Sequence, residues 1–150
     1  MNFEIQANMP SVNEVIERFG LDENGIVQKT IDQQFIHFMR LKMPLDSGVL
    51  MANTRSPRGG LVQVQTPYAH YQNEGILYVD SITGKGAFHD PISGRFWSRP
   101  NTKKIASNRK LTYHGGPNRG AHFVERTITE NQDDIAKSAQ EVLNRLWLRR

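Results

Sequence analysis

His70, Glu74, His114 and Lys110 are the residues whose types suit proton-transfer chemistry in this 150-residue chain. A base, an acid and a cation that holds phosphate are the components of metal-independent RNA cleavage. Only His70 and Glu74 stand close together, inside the stretch TPYAHYQNEG, Thr66 to Gly75. No motif draws His114 or Lys110 to them. The competing reading gives His70 and Tyr71 to packing or an interface, and Glu74 to the turn before Gly75.

Other chemistry finds less support. The histidines (His37, His70, His89, His114, His122) form no HExxH or similar compact ligand set, and cysteine is absent, so neither a metal nor a disulfide framework is expected. No phosphate-binding loop, nucleophile elbow or dinucleotide fingerprint occurs. Asp46-Ser47-Gly48 reads as a turn in which Asp46 accepts backbone amides. The expectation is a protein that is not an enzyme and needs no cofactor.

The hydrophobic pattern marks the elements that would position these residues. PSVNEVIERFG reads as a short helix opened by a Ser11–Glu14 capping box and closed by Gly20. Val12, Val15, Ile16 and Phe19 form its apolar stripe. NGIVQKTIDQQFIHFMRLKMP reads as a longer helix, with Val27, Ile31, Phe35, Phe38 and Lys42 on one face, widened by Ile36 and Met39, and Pro44 as its stop. SGVLMANTRSPRGGLVQVQT reads as a hairpin: a strand over Val49 to Thr54, a turn at Ser56 to Gly60, and a return strand with Val62 and Val64 toward the core. ILYVD reads as a strand and KLTYH as a last one. Residues 81–110 show no helical or strand period, which predicts an extended loop. Val124, Ile128, Ile135, Ala139, Val142 and Leu146, broadened by Leu143 and Trp147, predict a long helix over Ala121 to Leu148. The expected fold is one α+β domain over residues 1–150. It has a small antiparallel sheet packed against helices, a long C-terminal helix and a long loop insertion at 81–110.

Composition reads as soluble and globular, with 37 % hydrophobic and 23 % charged residues. The absence of cysteine suits a reducing cytoplasm, and no secretory signal or membrane-spanning run is read. Net charge is +4, but residues 81–119 hold eight Lys or Arg against Asp90 alone, a local +7 that leaves −3 for the rest. Such asymmetry predicts either a basic face toward nucleic acid or an acidic partner, or a solvated lysine-rich loop.

MPLDSGVL, after a helix, resembles the P-x-D-[ST]-G-x-L signature of phage tail-completion and head–tail connector proteins. TPYAHYQNEG resembles their P-Y-A-x-[YF]-x-x-x-G signature. YVDSITGKGAFHDPISGRFWS and KKIASNRKLTYHGGPNRGAHFVERT follow in an order similar to the minor capsid protein family of tailed phages of Gram-positive bacteria. GLDENGIVQKTID also resembles that family, with Asn24 where a second glycine is usual. The resemblance spans about residues 20–135. It implies a structural virion protein of the phage neck without catalysis, located in the virion and assembled in the bacterial host cytoplasm. The implied partners are other copies in a homo-oligomeric ring, neighbouring neck proteins (adaptor or stopper, tail terminator) and double-stranded DNA in passage, with no membrane. The motif positions are Pro44, Asp46, Gly48, Pro67, Tyr68, Tyr71 and Gly75. Pro67 would set the approach angle, Tyr68 and Tyr71 would give rigid contact area, and Gly75 would allow a backbone angle or close approach closed to other residues. In the long loop, Phe88, Phe96 and Trp97 would dock on a neighbour. Arg95, Arg99, Lys103, Lys104, Arg109 and Lys110 would face an acidic surface or DNA. The alternative is a basic nucleic-acid-binding or RNase-like domain.

Overall fold

The Ser11 hydroxyl accepts from Glu14 N at 3.2 Å, and Glu14 Oε2 accepts from Ser11 N at 2.6 Å, so the expected capping box opens α1 (Val12–Arg18). The computed structural model describes residues 10–149. After α1 come α2 (Ile26–Lys42), α3 (Val49–Ala52), β1 (Thr54–Arg58), β2 (Leu61–Val64), α4 (Ala69–Glu74), β3 (Ile76–Asp80), β4 (Phe88–His89), β5 (Phe96–Trp97), β6 (Lys104–Lys110) and α5 (Phe123–Leu148). This is an α+β fold with small antiparallel sheets and a long C-terminal helix, as expected. The sheet structure forms three two-stranded pairs, β1–β2, β3–β6 and β4–β5, rather than one sheet.

Two compact units, each discontinuous in sequence, make up the fold. The first holds the described residues up to Phe38, Thr54–Gln63 and the chain from Thr127 onward. Its buried apolar residues are Val27, Ile135 and Val142. Buried among its polar residues is Asp32, whose Oδ1 accepts from Gln28 Nε2 at 2.8 Å. Oδ2 accepts from Ser56 Oγ at 2.9 Å and from Gly60 N at 3.0 Å, which ties the β1–β2 turn to α2. A carboxylate is tolerated in such a place only when its lone pairs are satisfied, as here.

The second unit holds Met39–Asn53 and Val64–Arg126. Met39, Met43, Leu50, Val79 and Phe123 are its buried apolar residues. A helix leaves its last carbonyls without partners. Here Arg119 Nη1 donates to Arg40 O at 2.8 Å and to Met43 O at 2.7 Å, and Gly120 N donates to Lys42 O at 2.9 Å. The segment GGPNRG, which reads in sequence only as a breaker, thus caps the end of α2.

Four expectations are corrected. Val49 to Ala52 is a short helix, and the strand follows it at Thr54–Arg58. Gly48 starts that turn at φ +77°, and Asn53 Nδ2 closes it on Val49 O at 2.8 Å. Ser56, Pro57 and Arg58 belong to β1, leaving Gly59-Gly60 as the turn; a proline is tolerated because the strand is at an edge. The last strand is Lys104–Lys110, not KLTYH, and together with β4 and β5 it structures the presumed 81–110 loop. Its register pairs Tyr78 with Ala106, Val79 with Ile105 and Asp80 with Lys104. Most of β6 is exposed, so no apolar alternation announces it. In α5 the buried line begins at Phe123 and Thr127, one residue before the expected Val124 and Ile128, and Ile128 is 51 % exposed.

Candidate functional site: the Thr66–Gly75 turn and the basic cleft

Pro67 and Tyr68 form the turn that leads into α4, closed by Ala69 N donating to Thr66 O at 3.2 Å. The helix runs for six residues and ends at Gly75, in the left-handed region at φ +76°. A Cβ there would stand 2.5 Å from Ala121 Cβ and 3.1 Å from the Tyr113 hydroxyl, so both a positive angle and a close approach require glycine.

The polar groups of this stretch bind the rest of the unit. Gln72 O accepts from the Tyr113 hydroxyl at 2.8 Å. Asn73 O accepts from His122 N at 2.7 Å, and Asn73 Oδ1 accepts from Val124 N at 3.2 Å. Asn73 Nδ2 donates to both Glu125 oxygens at 3.1 Å. Asn73 therefore caps the first turn of α5 from a distant part of the chain, where His122 itself sits at φ +55°. Sequence reasoning missed Asn73, because its partners lie 51 and 52 residues away.

Tyr71 packs on Tyr78 with ring centroids 4.6 Å apart, and on His70 at 5.5 Å. The Tyr78 hydroxyl donates to Glu74 Oε2 at 2.6 Å, which raises the Tyr78 pKa above its ordinary value, with burial adding to the effect. His70 Nε2 lies 3.0 Å from Glu74 Oε1. The Glu74 carboxylate is thus engaged on both oxygens. No hydrogen bond or ion pair among the described residues joins His114 or Lys110 to this pair. In the β3–β6 ladder Lys110 stands opposite Ile76, two residues beyond Glu74. Among the described residues no three His, Asp or Glu side chains cluster to hold a metal ion.

Pro44 is half-buried just past the end of α2, and Leu45 N donates to His114 O at 3.0 Å. Asp46 corrects its expected role. It is exposed, and among the described residues no backbone amide donates to its carboxylate. The Tyr68 pKa is raised by burial first and by the Asp46 charge second.

β4 and β5 form a hairpin that carries an aromatic pair at each register position. Phe88 and Trp97 stack at 4.7 Å, and His89 and Phe96 lie 4.7 Å apart. Phe96 is 69 % and Trp97 53 % exposed. The Asp90 carboxylate turns the hairpin by accepting from Ser93 Oγ and from Ile92 N, which holds its pKa below the ordinary range. Arg95 is exposed at this turn, Lys103 lies just before β6, and Lys104, Arg109 and Lys110 lie on it. Arg109 Nη2 donates to Gly84 O at 3.3 Å. A cleft of about 130 Å³ is lined by Asp80, by Lys85, Arg99 and Lys104, and by Thr83, Ser98 and Thr102.

Comparison with protein-family models, with curated proteins and with solved structures finds no match. No helix among the described residues is long and apolar enough to cross a membrane.

Proposed function

We propose that this chain is a structural protein of the tailed-phage neck, a head–tail connector or tail-completion component. In this reading it forms a homo-oligomeric ring between the portal complex and the tail, flanked by adaptor or stopper and tail-terminator proteins, and DNA passes through the ring. The order of its sequence motifs supports the reading. The observation that carries it is the use made of the Thr66–Gly75 polar groups. Gln72, Asn73 and Glu74 are engaged in holding helix α5, Tyr113 and Tyr78, which suits a scaffold. The exposed Phe96 and Trp97 supply rigid contact area of the kind enriched at protein interfaces.

The test is direct. Antibody raised to this chain should label the head–tail junction of virions that contain it, and labelling elsewhere or none would sink the proposal. Purified protein should also leave RNA and DNA intact. Nuclease activity that disappears in His70→Ala would replace this reading with the RNase alternative.

A further inference from the structure

We propose that the cleft lined by Lys85, Arg99 and Lys104 seats a backbone phosphate of nucleic acid. The inference goes beyond the neck reading and does not rest on it. Three cationic and three hydroxyl-bearing residues (Thr83, Ser98, Thr102) line it, a set of donor types suited to a phosphate's oxygens. The one carboxylate in the wall, Asp80, has one oxygen committed to its own loop. Its Oδ1 accepts from Ile82 N at 2.7 Å and Thr83 N at 3.1 Å, and those bonds, more than the nearby Arg99 charge, hold its pKa below the ordinary range. Among the described residues no salt bridge or hydrogen bond engages the charged groups of Lys85, Arg99 or Lys104; Arg99 lies over the Phe88 ring, at 6.0 Å, and its charge acts on Asp80. Three cations against the single Asp80 carboxylate leave the lining with a net positive charge.

The frame is fixed before any ligand arrives. Asp80 N donates to Lys85 O at 2.8 Å, Ser81 N to Lys103 O at 3.0 Å and Thr102 N to Arg99 O at 3.2 Å. A cleft of this size takes one phosphate group rather than a nucleotide. The surroundings favour a polymer over a free ion. Lys103 precedes Lys104, and Arg109 and Lys110 continue the charge along exposed β6, as a row of phosphates would require.

The experiment titrates the full chain with a short duplex DNA, a single-stranded oligonucleotide, inorganic phosphate and a polyglutamate peptide, reading binding across a range of salt. Nucleic acid should bind, with log K falling linearly in log salt. Lys85→Gln with Lys104→Gln should weaken binding about tenfold or more and flatten the salt slope by about two. Arg18→Gln with Lys29→Gln removes the same charge from exposed positions far from the cleft in sequence and should change neither by comparable amounts. Equal losses in the two double variants would show diffuse attraction and overturn the proposal. So would phosphate binding without nucleic-acid binding, or polyglutamate displacing DNA at equal charge concentration. Preference between duplex and single strand identifies which nucleic acid the cleft takes. Success here leaves the neck reading untouched, and virion labelling can fail independently.

Discussion

Asn73 joins the Thr66–Gly75 stretch to the start of α5 through three polar atoms. Asn73→Ala removes a helix cap and leaves the Val124 amide without its acceptor. It should cost about 1–2 kcal/mol, read as a lowered Tm. Asn73→Asp keeps the acceptor but sets a second carboxylate against Glu125, so it should destabilise as well, and less so at low pH. An unchanged Tm in both variants would remove the capping role. The pH dependence of the hairpin turns follows from Asp80 and Asp90. Both have folded pKa values below their unfolded ones, with amide and hydroxyl donors as the main cause. Their stabilisation is therefore full above the ordinary carboxylate range and is lost as pH falls through it toward the depressed values. Amide exchange at Ile82 and Ile92 should rise, relative to the intrinsic rate, on acidification; Asp90→Asn should remove that response at Ile92 alone. Local chemistry of this kind is legible in sequence when its parts lie three apart, as Ser11 and Glu14 do. Asn73 acts across 51 residues, and no spacing rule reaches that far.

Among the elements, α5 shows both what periodicity reveals and where it misleads. The pattern fixes the helix and its later stripe, since Ile135 and Val142 are buried. It misplaces the first turns, where Phe123 and Thr127 are buried and Ile128 is half exposed, because a threonine gives no apolar signal. Val142→Ala should cost about 1–3 kcal/mol. Ile128→Ala should cost less than about 1 kcal/mol, as surface changes do. Denaturant unfolding of the two variants decides it, and equal losses would restore the original stripe. Strand β6 was not legible for the opposite reason: a strand exposed along most of its length has no buried face to impose alternation. Its place is set by the ladder to β3, which includes a bulge between Ile76 and Tyr78. Buried Asp32 belongs with it, a polar residue within an apolar stripe whose partners, Ser56 and Gly60, are brought by the hairpin turn.

Across the whole molecule the dominant feature is charge separation along the chain, +7 over residues 81–119 against −3 elsewhere. Head-to-tail rings place different surfaces of one chain in contact, so opposite charges of neighbouring copies can attract. Self-association is accordingly predicted to weaken as salt rises, since screening shortens to about 10 Å near 0.1 M. Sedimentation velocity at low and high salt measures this, and a monomer at every concentration in low salt would contradict ring formation by the isolated chain. The β4–β5 hairpin supplies the companion test. Removing all of 81–110 would strip β6 from β3 and unfold the pair, so the informative deletion is confined to residues 87–98 with a short glycine linker. Phe96 and Trp97 are exposed and the β3–β6 ladder does not depend on them, so the shortened protein should keep its Tm within a few degrees. If these rings are the docking surface, it should also lose self-association at low salt while keeping Lys85 and Lys104 in place. Retained association would move the contact away from the hairpin and leave the basic strand β6 as the surface to test next.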